Sequence, residues 1–236
     1  KYKKKFDNFQ IFGMGGSIHG SEAIYNFLKQ RIKKKFVFIN NINLLNNQNS
    51  KGRKFNIVIS KSGDTLETVT NLNSQKINKN CLFITENKKS YLRILALKLK
   101  SEIVDHNNFI GGRYSVLSET GMIPAFFMNL NPNKFKRLDN LISSKKFIDY
   151  LTNNVSSILS FHQKQKFNSI ILNYDENSNN LFYWYQQLVA ESLGKSSKGI
   201  LPIISNLPKD NHSLMQLYLD GFKKNFFTFF YVKDKS

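Results

Sequence analysis

Gln187 and Glu191 stand four residues apart in the run Gln186-Gln187-Leu188-Val189-Ala190-Glu191-Ser192-Leu193-Gly194-Lys195. On a helix that spacing sets an amide and a carboxylate on one face, a turn apart. Trp184, Leu188 and Val189 flank them with apolar surface. This predicts partial desolvation of Glu191, which suits a carboxylate that removes a proton from carbon. A solvated helix surface is the commoner fate of such a pair. In Gly111-Gly112-Arg113-Tyr114-Ser115 a guanidinium follows paired glycines. Glycines let backbone press against a ligand, and the guanidinium could hold a developing negative charge. An ordinary loop with a surface arginine reads the same way. In Asp210-Asn211-His212-Ser213, His212 is expected to open a helix. There it is either a neighbour of the cap or a group that moves a proton near neutral pH.

Two earlier stretches suit an anion. Gly13-Met14-Gly15-Gly16-Ser17 lies between a strand pattern and a helix pattern, where glycines allow backbone N–H groups to approach a phosphate. It is not a dinucleotide fingerprint, because Ile18 stands where the last glycine would be. Tight strand-to-helix turns need glycine in any case. Ser60-Lys61-Ser62-Gly63-Asp64-Thr65-Leu66-Glu67-Thr68 also joins a strand to a helix. A helix cap needs one hydroxyl. Ser60, Ser62 and Thr65 supply more than that, which favours anion binding. A carboxylate for proton abstraction, a cation for the charge it creates and turns for a phosphate together describe aldose–ketose isomerisation of a sugar phosphate.

The elements that must position these residues follow from periodicity. Strands are expected at 9–13, 36–39, 55–60, 81–85, 102–105, 169–174 and 226–232. Helices are expected at 21–34, 65–76, 90–99, 117–129, 133–140, 147–164, 181–192 and 212–220, with Gly194 and Gly221 as stops. Alternating strands and helices imply parallel sheets covered on both faces. The expected division is a first domain over 1–142 and a second over 143–236.

Composition narrows the field. An apolar fraction of 41% with 21 Phe argues for a buried core. The net charge of +19 invites a nucleic-acid reading, but only five of the 35 basic residues are Arg. Groove readers lean on arginine for bidentate contacts. The lysines are scattered among many Asn and Ile, a pattern of biased residue usage, so no nucleic-acid partner is predicted. Cys81 is the single cysteine, which excludes an intramolecular disulfide and fits a reducing, cytoplasmic setting. No apolar run reaches membrane-span length, so no membrane partner is predicted. His19, His106 and His162 are read as structural. No Cys/His cluster has metal-ligand spacing, so no metal is predicted. The chain opens on Lys1 rather than Met, and both ends read as cuts through a longer protein.

The five stretches, in this order, resemble the glucose-6-phosphate isomerase family, whose sugar isomerase (SIS) domains share the serine-rich loop. The matching runs are Gly15-Gly16-Ser17, Ser60 to Thr68, Gly111 to Ser115, Gln186 to Lys195 and Asp210 to Gly221. The resemblance implies an α/β protein of two SIS-type three-layer α/β/α sandwiches with mainly parallel sheets, the second incomplete. It implies cofactor-free interconversion of glucose 6-phosphate and fructose 6-phosphate, a step of glycolysis and gluconeogenesis. Ser17, Ser60, Lys61 (through its backbone N–H), Ser62 and Thr65 would bind the phosphate. Glu191 would shuttle the proton between C2 and C1. Arg113, beside Gly112, would stabilise the enediolate, and Gln187 would contact the sugar. His212 would open the ring, reaching in from the other subunit of a homodimer. The family also has a lysine on a C-terminal helix, and this chain ends before any such helix; neither Lys233 nor Lys235 is assigned that role. Sugar-phosphate binding without turnover, and isomerisation of another phosphosugar such as mannose 6-phosphate, stay open as alternatives.

Overall fold

The computed structural model of the chain describes residues 2–42, 53–75 and 77–233. Two compact units form, Lys1–Pro132 and Asn133–Ser236; the sequence reading divides the chain at 142/143. In the first unit the elements run α1 (Tyr2–Lys5), β1 (Asn8–Phe12), α2 (His19–Phe27), β2 (Lys35–Ile39), β3 (Lys54–Ile59), α3 (Leu66–Asn73), β4 (Cys81–Thr85), α4 (Tyr91–Lys98), β5 (Glu102–Asp105) and α5 (Glu119–Phe127). Short 3₁₀ turns at Gly15–Ser17 and Gly112–Leu117 carry two of the glycine motifs.

The five strands are all parallel, in the order β2-β1-β3-β4-β5. The chain therefore moves outward from β1 in one direction, returns, and moves outward in the other from β3. Right-handed crossovers then set α2 on one face and α3 and α4 on the opposite face. Side-chain alternation agrees. Phe9 pairs in register with Phe55, and both rings meet Phe127 of α5, at centroid distances of 5.2 and 5.4 Å. Phe12 and Val58 point the other way and pack with Leu72 of α3, Leu92 and Ala96 of α4, Cys81 and Phe83. Aromatic pairs of this kind are worth about 0.5–1.5 kcal/mol each beyond area burial. The abundant phenylalanine thus has a place in the core.

The second unit contains α6 (Leu138–Ile142), α7 (Lys145–Gln163), β6 (Asn168–Asn173), α8 (Asn179–Leu193), β7 (Leu201–Asn206), α9 (Met215–Asp220) and β8 (Asn225–Phe230). Its sheet has the order β7-β6-β8, again parallel. One face carries Phe226 against Phe161 of α7 and Phe230 against Phe182 of α8. The other carries Ile170, Leu172 and Leu207 against Tyr218 of α9. Each unit is thus layered helix–sheet–helix, as the sequence predicts.

Three local expectations are corrected. β7 is a strand that the sequence reading leaves out; it contains Pro202 and lies at the edge of the sheet, where the missing N–H is tolerated. The chain begins in a short helix, α1, before the first strand. His212 lies in the turn between a 3₁₀ segment (Lys209–Asn211) and α9 and does not open a helix. Asp210 competes for that turn: its Oδ2 accepts from the Asn206 backbone N–H at 2.7 Å and from Ser205 Oγ at 3.1 Å. Lys76, the expected end of the second helix, lies outside the described residues, as does Lys235. Among the described residues, no helix is long and apolar enough to cross a membrane.

Cys81 opens β4 fully buried, its Sγ 3.0 Å from the Asn78 carbonyl, and burial pushes its thiol up from the ordinary range. A buried, protonated thiol is a poor nucleophile. Native protein is expected to react with an aromatic disulfide reagent about 100-fold more slowly than urea-unfolded protein; equal rates would contradict this packing.

Candidate functional site

In a sheet of order 2-1-3-4-5, the chain leaves β1 and β3 toward opposite faces. The crevice beyond their carboxyl ends is the natural ligand site of such a sheet. Gly13–Ser17 follows β1 and Ser60–Thr65 follows β3, so both anion-suited turns lie at that switch point.

The serine-rich turn is built from its own hydroxyls. Ser60 Oγ and Thr65 Oγ1 are 2.9 Å apart, and Ser62 Oγ lies 3.4 Å from Thr65 Oγ1. Ser60 Oγ accepts from the Gly63 N–H and Ser62 Oγ from the Asp64 N–H, at 3.1 and 3.2 Å. Gly63 has φ +75°, and a Cβ there would meet Ser90 Oγ at 2.2 Å, so the turn requires glycine twice over. Thr65 is the N-cap of α3, but no side chain caps that helix. The simple capping explanation of these hydroxyls is therefore not what the fold uses. The first-turn N–H groups of α3 stay available to an anion beside a half-buried hydroxyl cluster.

The Gly-Gly-Arg segment comes to the same place. A Cβ on Gly16 would lie 2.3 Å from the carbonyl carbon of Gly112 and 2.6 Å from the Arg113 nitrogen, so the two backbones are in direct contact. Ser115, fully buried, donates through Oγ to the Gly112 carbonyl at 2.7 Å, with the Gly16 carbonyl at 3.4 Å. Thr120 Oγ1 lies 2.7 Å from the Ser115 carbonyl and ties the turn to α5. Arg113 is half-buried, its guanidinium carbon 4.7 Å from the Tyr114 ring centroid. Ser17, Ser60, Lys61, Ser62, Thr65, Gly112 and Arg113 are thus gathered at the carboxyl end of one sheet.

The remaining predicted residues belong to the second unit. Gln187 and Glu191 lie on one face of α8, and Gln187 Nε2 donates to Glu191 Oε1 at 2.7 Å. Gln187 Oε1 is buried with no hydrogen-bond partner among the described residues. The preceding residue, Gln186, anchors α8 to the sheet by donating to the Pro202 carbonyl at 2.7 Å. Glu191 is exposed, which corrects the expected partial desolvation: Trp184, Leu188 and Val189 are themselves only half-buried, so they do not seal the carboxylate. His212 is exposed as well. Of the histidines read as structural, His106 is fully buried, with Nδ1 3.3 Å from Glu119 Oε1. Among the described residues, no group of three His, Cys, Asp or Glu could hold a metal ion.

One contributor was missed. Lys61 was read through its backbone alone, yet its ammonium donates to the Asn108 and Ile110 carbonyls, both at 3.0 Å. Nothing in the local sequence signals that contact, because the acceptors are backbone atoms almost fifty residues along the chain.

No family model matches the chain. A glucose-6-phosphate isomerase of Methanocaldococcus jannaschii is 32% identical over 260 aligned positions, covering 99% of this chain and 62% of the relative. A glucose-6-phosphate isomerase of Campylobacter jejuni is 30% identical, covering 98% of this chain and 62% of the relative. The chain thus spans about 62% of the length of these relatives. In fold it is similar to the crystal structure of a glucose-6-phosphate isomerase from Chlamydia trachomatis, with a TM-score of 0.72 at 21% identity over 94% of this chain and 49% of that one.

Gly16→Ala is expected to destabilise the protein by about 1–3 kcal/mol, because backbone cannot yield to a new methyl as a flexible side chain can. The midpoint of urea unfolding reads this, and an unchanged midpoint would contradict the close approach of the two turns.

Proposed function

We propose that this chain belongs to the glucose-6-phosphate isomerase family, with an SIS-type fold, and carries the phosphate-binding and proton-transfer residues of an aldose–ketose isomerase. The substrate pair is glucose 6-phosphate and fructose 6-phosphate, interconverted in glycolysis and gluconeogenesis, in the cytoplasm and without a cofactor. The observation that carries this reading is the gathering of the glycine turn, the hydroxyl turn and Gly112-Arg113 at the β1/β3 switch point.

Ser17, Ser60, Ser62 and Thr65, with the Lys61 backbone N–H, hold the phosphate. That end is remote from the reacting carbons, so its binding fixes orientation. Glu191 takes the C2 proton of the open-chain aldose. The C2–H electron pair becomes the C1–C2 double bond, and the carbonyl pair moves to the C1 oxygen. Arg113, beside Gly112, stabilises the enediolate; preorganised donors of this kind supply roughly 3–4 kcal/mol. Delivery of the carbon-bound proton to C1, with the O2 proton passing to O1 and the carbonyl re-formed at C2, gives the ketose. A positioned base contributes about 10²–10⁴ in rate. The unpartnered Gln187 Oε1 accepts from a sugar hydroxyl, and the Gln187 amide orients Glu191. His212 opens the ring, contributed across the interface of a homodimer.

The exposure of Glu191 favours a second reading, sugar-phosphate binding without turnover. A coupled isomerase assay beside a thermal-shift titration with fructose 6-phosphate separates the two, since binding with no turnover supports the second. Turnover of mannose 6-phosphate in the same assay tests the choice of sugar.

Glu191→Gln is expected to abolish exchange of the C2 proton with solvent, followed by proton NMR in deuterated buffer. Phosphate binding should change by less than about twofold, because the phosphate turns lie in the other unit. Full exchange activity in this variant would refute the base assignment.

A further inference from the structure

The segment between β5 and Arg113 has little apolar anchorage. Asn107, Asn108 and Phe109 are exposed, the last 98% so, and Ile110 is only half-buried. Polar contacts hold it instead. At its start the Asn107 N–H donates to Glu119 Oε1 at 2.9 Å, and the same carboxylate faces His106. Farther on, the Lys61 ammonium donates to the carbonyls of Asn108 and Ile110, and Glu86 Oε1 lies 3.6 Å from it. An ammonium has three donors. Two are directed at this segment and the third faces Glu86, so the side chain is committed to the protein and not to the phosphate turn it belongs to. Glu86 is itself fixed. Its second oxygen meets Lys88 at 2.6 Å, and the Lys88 hydrogen bond foremost, with Lys61 adding to it, holds its carboxyl below the usual range. The Lys61 backbone is also pinned: its carbonyl accepts from the Glu86 N–H at 3.1 Å and from Thr85 Oγ1 at 3.3 Å.

We propose that the Lys61 side chain is a positioning residue, a strut that ties the phosphate-binding turn to the segment delivering Arg113 and so fixes the distance between the phosphate subsite and the enediolate subsite. The idea rests on the reading of Ser60–Thr65 as the phosphate site. It adds that one residue serves both ends of the substrate, its backbone at the phosphate and its side chain, through the loop carbonyls, at the guanidinium. Its side chain is 31% exposed, so removing the charge leaves the core intact.

The test compares the full chain with Lys61→Met, which keeps the stem, and Lys61→Arg, which keeps a donor for the carbonyls. Hydrogen exchange is followed on peptides spanning residues 104–114. Affinity is measured for inorganic phosphate, and for a phosphorylated aldonate one carbon shorter than the substrate, whose carboxylate imitates the enediolate oxygens. In Lys61→Met, exchange over 107–114 should rise about fivefold or more with the rest of the chain unchanged. Phosphate affinity should stay within about twofold, the aldonate should weaken about tenfold, and Lys61→Arg should restore most of both losses. Unchanged exchange in Lys61→Met overturns the proposal. So does a loss of phosphate affinity with unchanged exchange, which would make the ammonium a phosphate ligand. If the parent chain binds no phosphate, the phosphate-site reading fails, while the exchange comparison still decides whether the strut exists.

Discussion

The backbone of Gly16 lies directly against the backbone of Gly112, and the arrangement of the first unit turns on that contact. It needs a side-chain-free position at Gly16, after β1, facing a turn beyond β5, a strand that is not β1's neighbour in the sheet; a Cβ on Gly112 would meet open space. A Cβ on Gly16 would push the Gly-Gly-Arg turn off the glycine turn. Ser115 and Thr120 then lock the approached segment from behind with buried hydrogen bonds. Beneath it, the two-faced packing of β1 and β3 holds the strands that present the turns. Phe9 and Phe55 face α5, while Phe12 and Val58 face α3 and α4. The site is a consequence of sheet order, and the glycines are what allow the turns to use it.

The hydroxyl turn beside it is a small network whose members satisfy one another. Ser60, Ser62 and Thr65 share bonds with each other and with the Gly63 and Asp64 N–H groups. With these side chains occupied, the start of α3 has no side-chain cap. A helix start left open in this way suits an anion better than a cation, since its exposed N–H groups carry partial positive charge.

The second unit is organised differently. Asp210 draws Ser205 and Asn206 into the turn that precedes His212. Gln187 is oriented through Glu191, leaving its own buried oxygen without a partner among the described residues. An orphaned buried acceptor costs free energy unless a ligand or water meets it.

Much of this was legible in the residues. Strand and helix order followed from periodicity, because parallel strands buried on both faces read as short apolar runs such as Phe55–Ile59 and Cys81–Thr85. The two turns were legible as candidate anion sites because one joins glycines to a helix start and the other supplies more hydroxyls than a cap needs. β7 was not, since Pro202 forbids a central strand while an edge strand accepts it, and edge position is a property of the assembled sheet. Nor was the exposure of Glu191, which depends on how far Trp184, Leu188 and Val189 are covered by other elements. By itself the sequence determined the alternating α/β plan, the parallel sheets and the residue types able to act on a sugar phosphate. Only tertiary structure decided that Gly16 meets Gly112 and that the Lys61 ammonium reaches carbonyls far along the chain, because contacts to backbone atoms leave no mark on the identity of the residues that supply them.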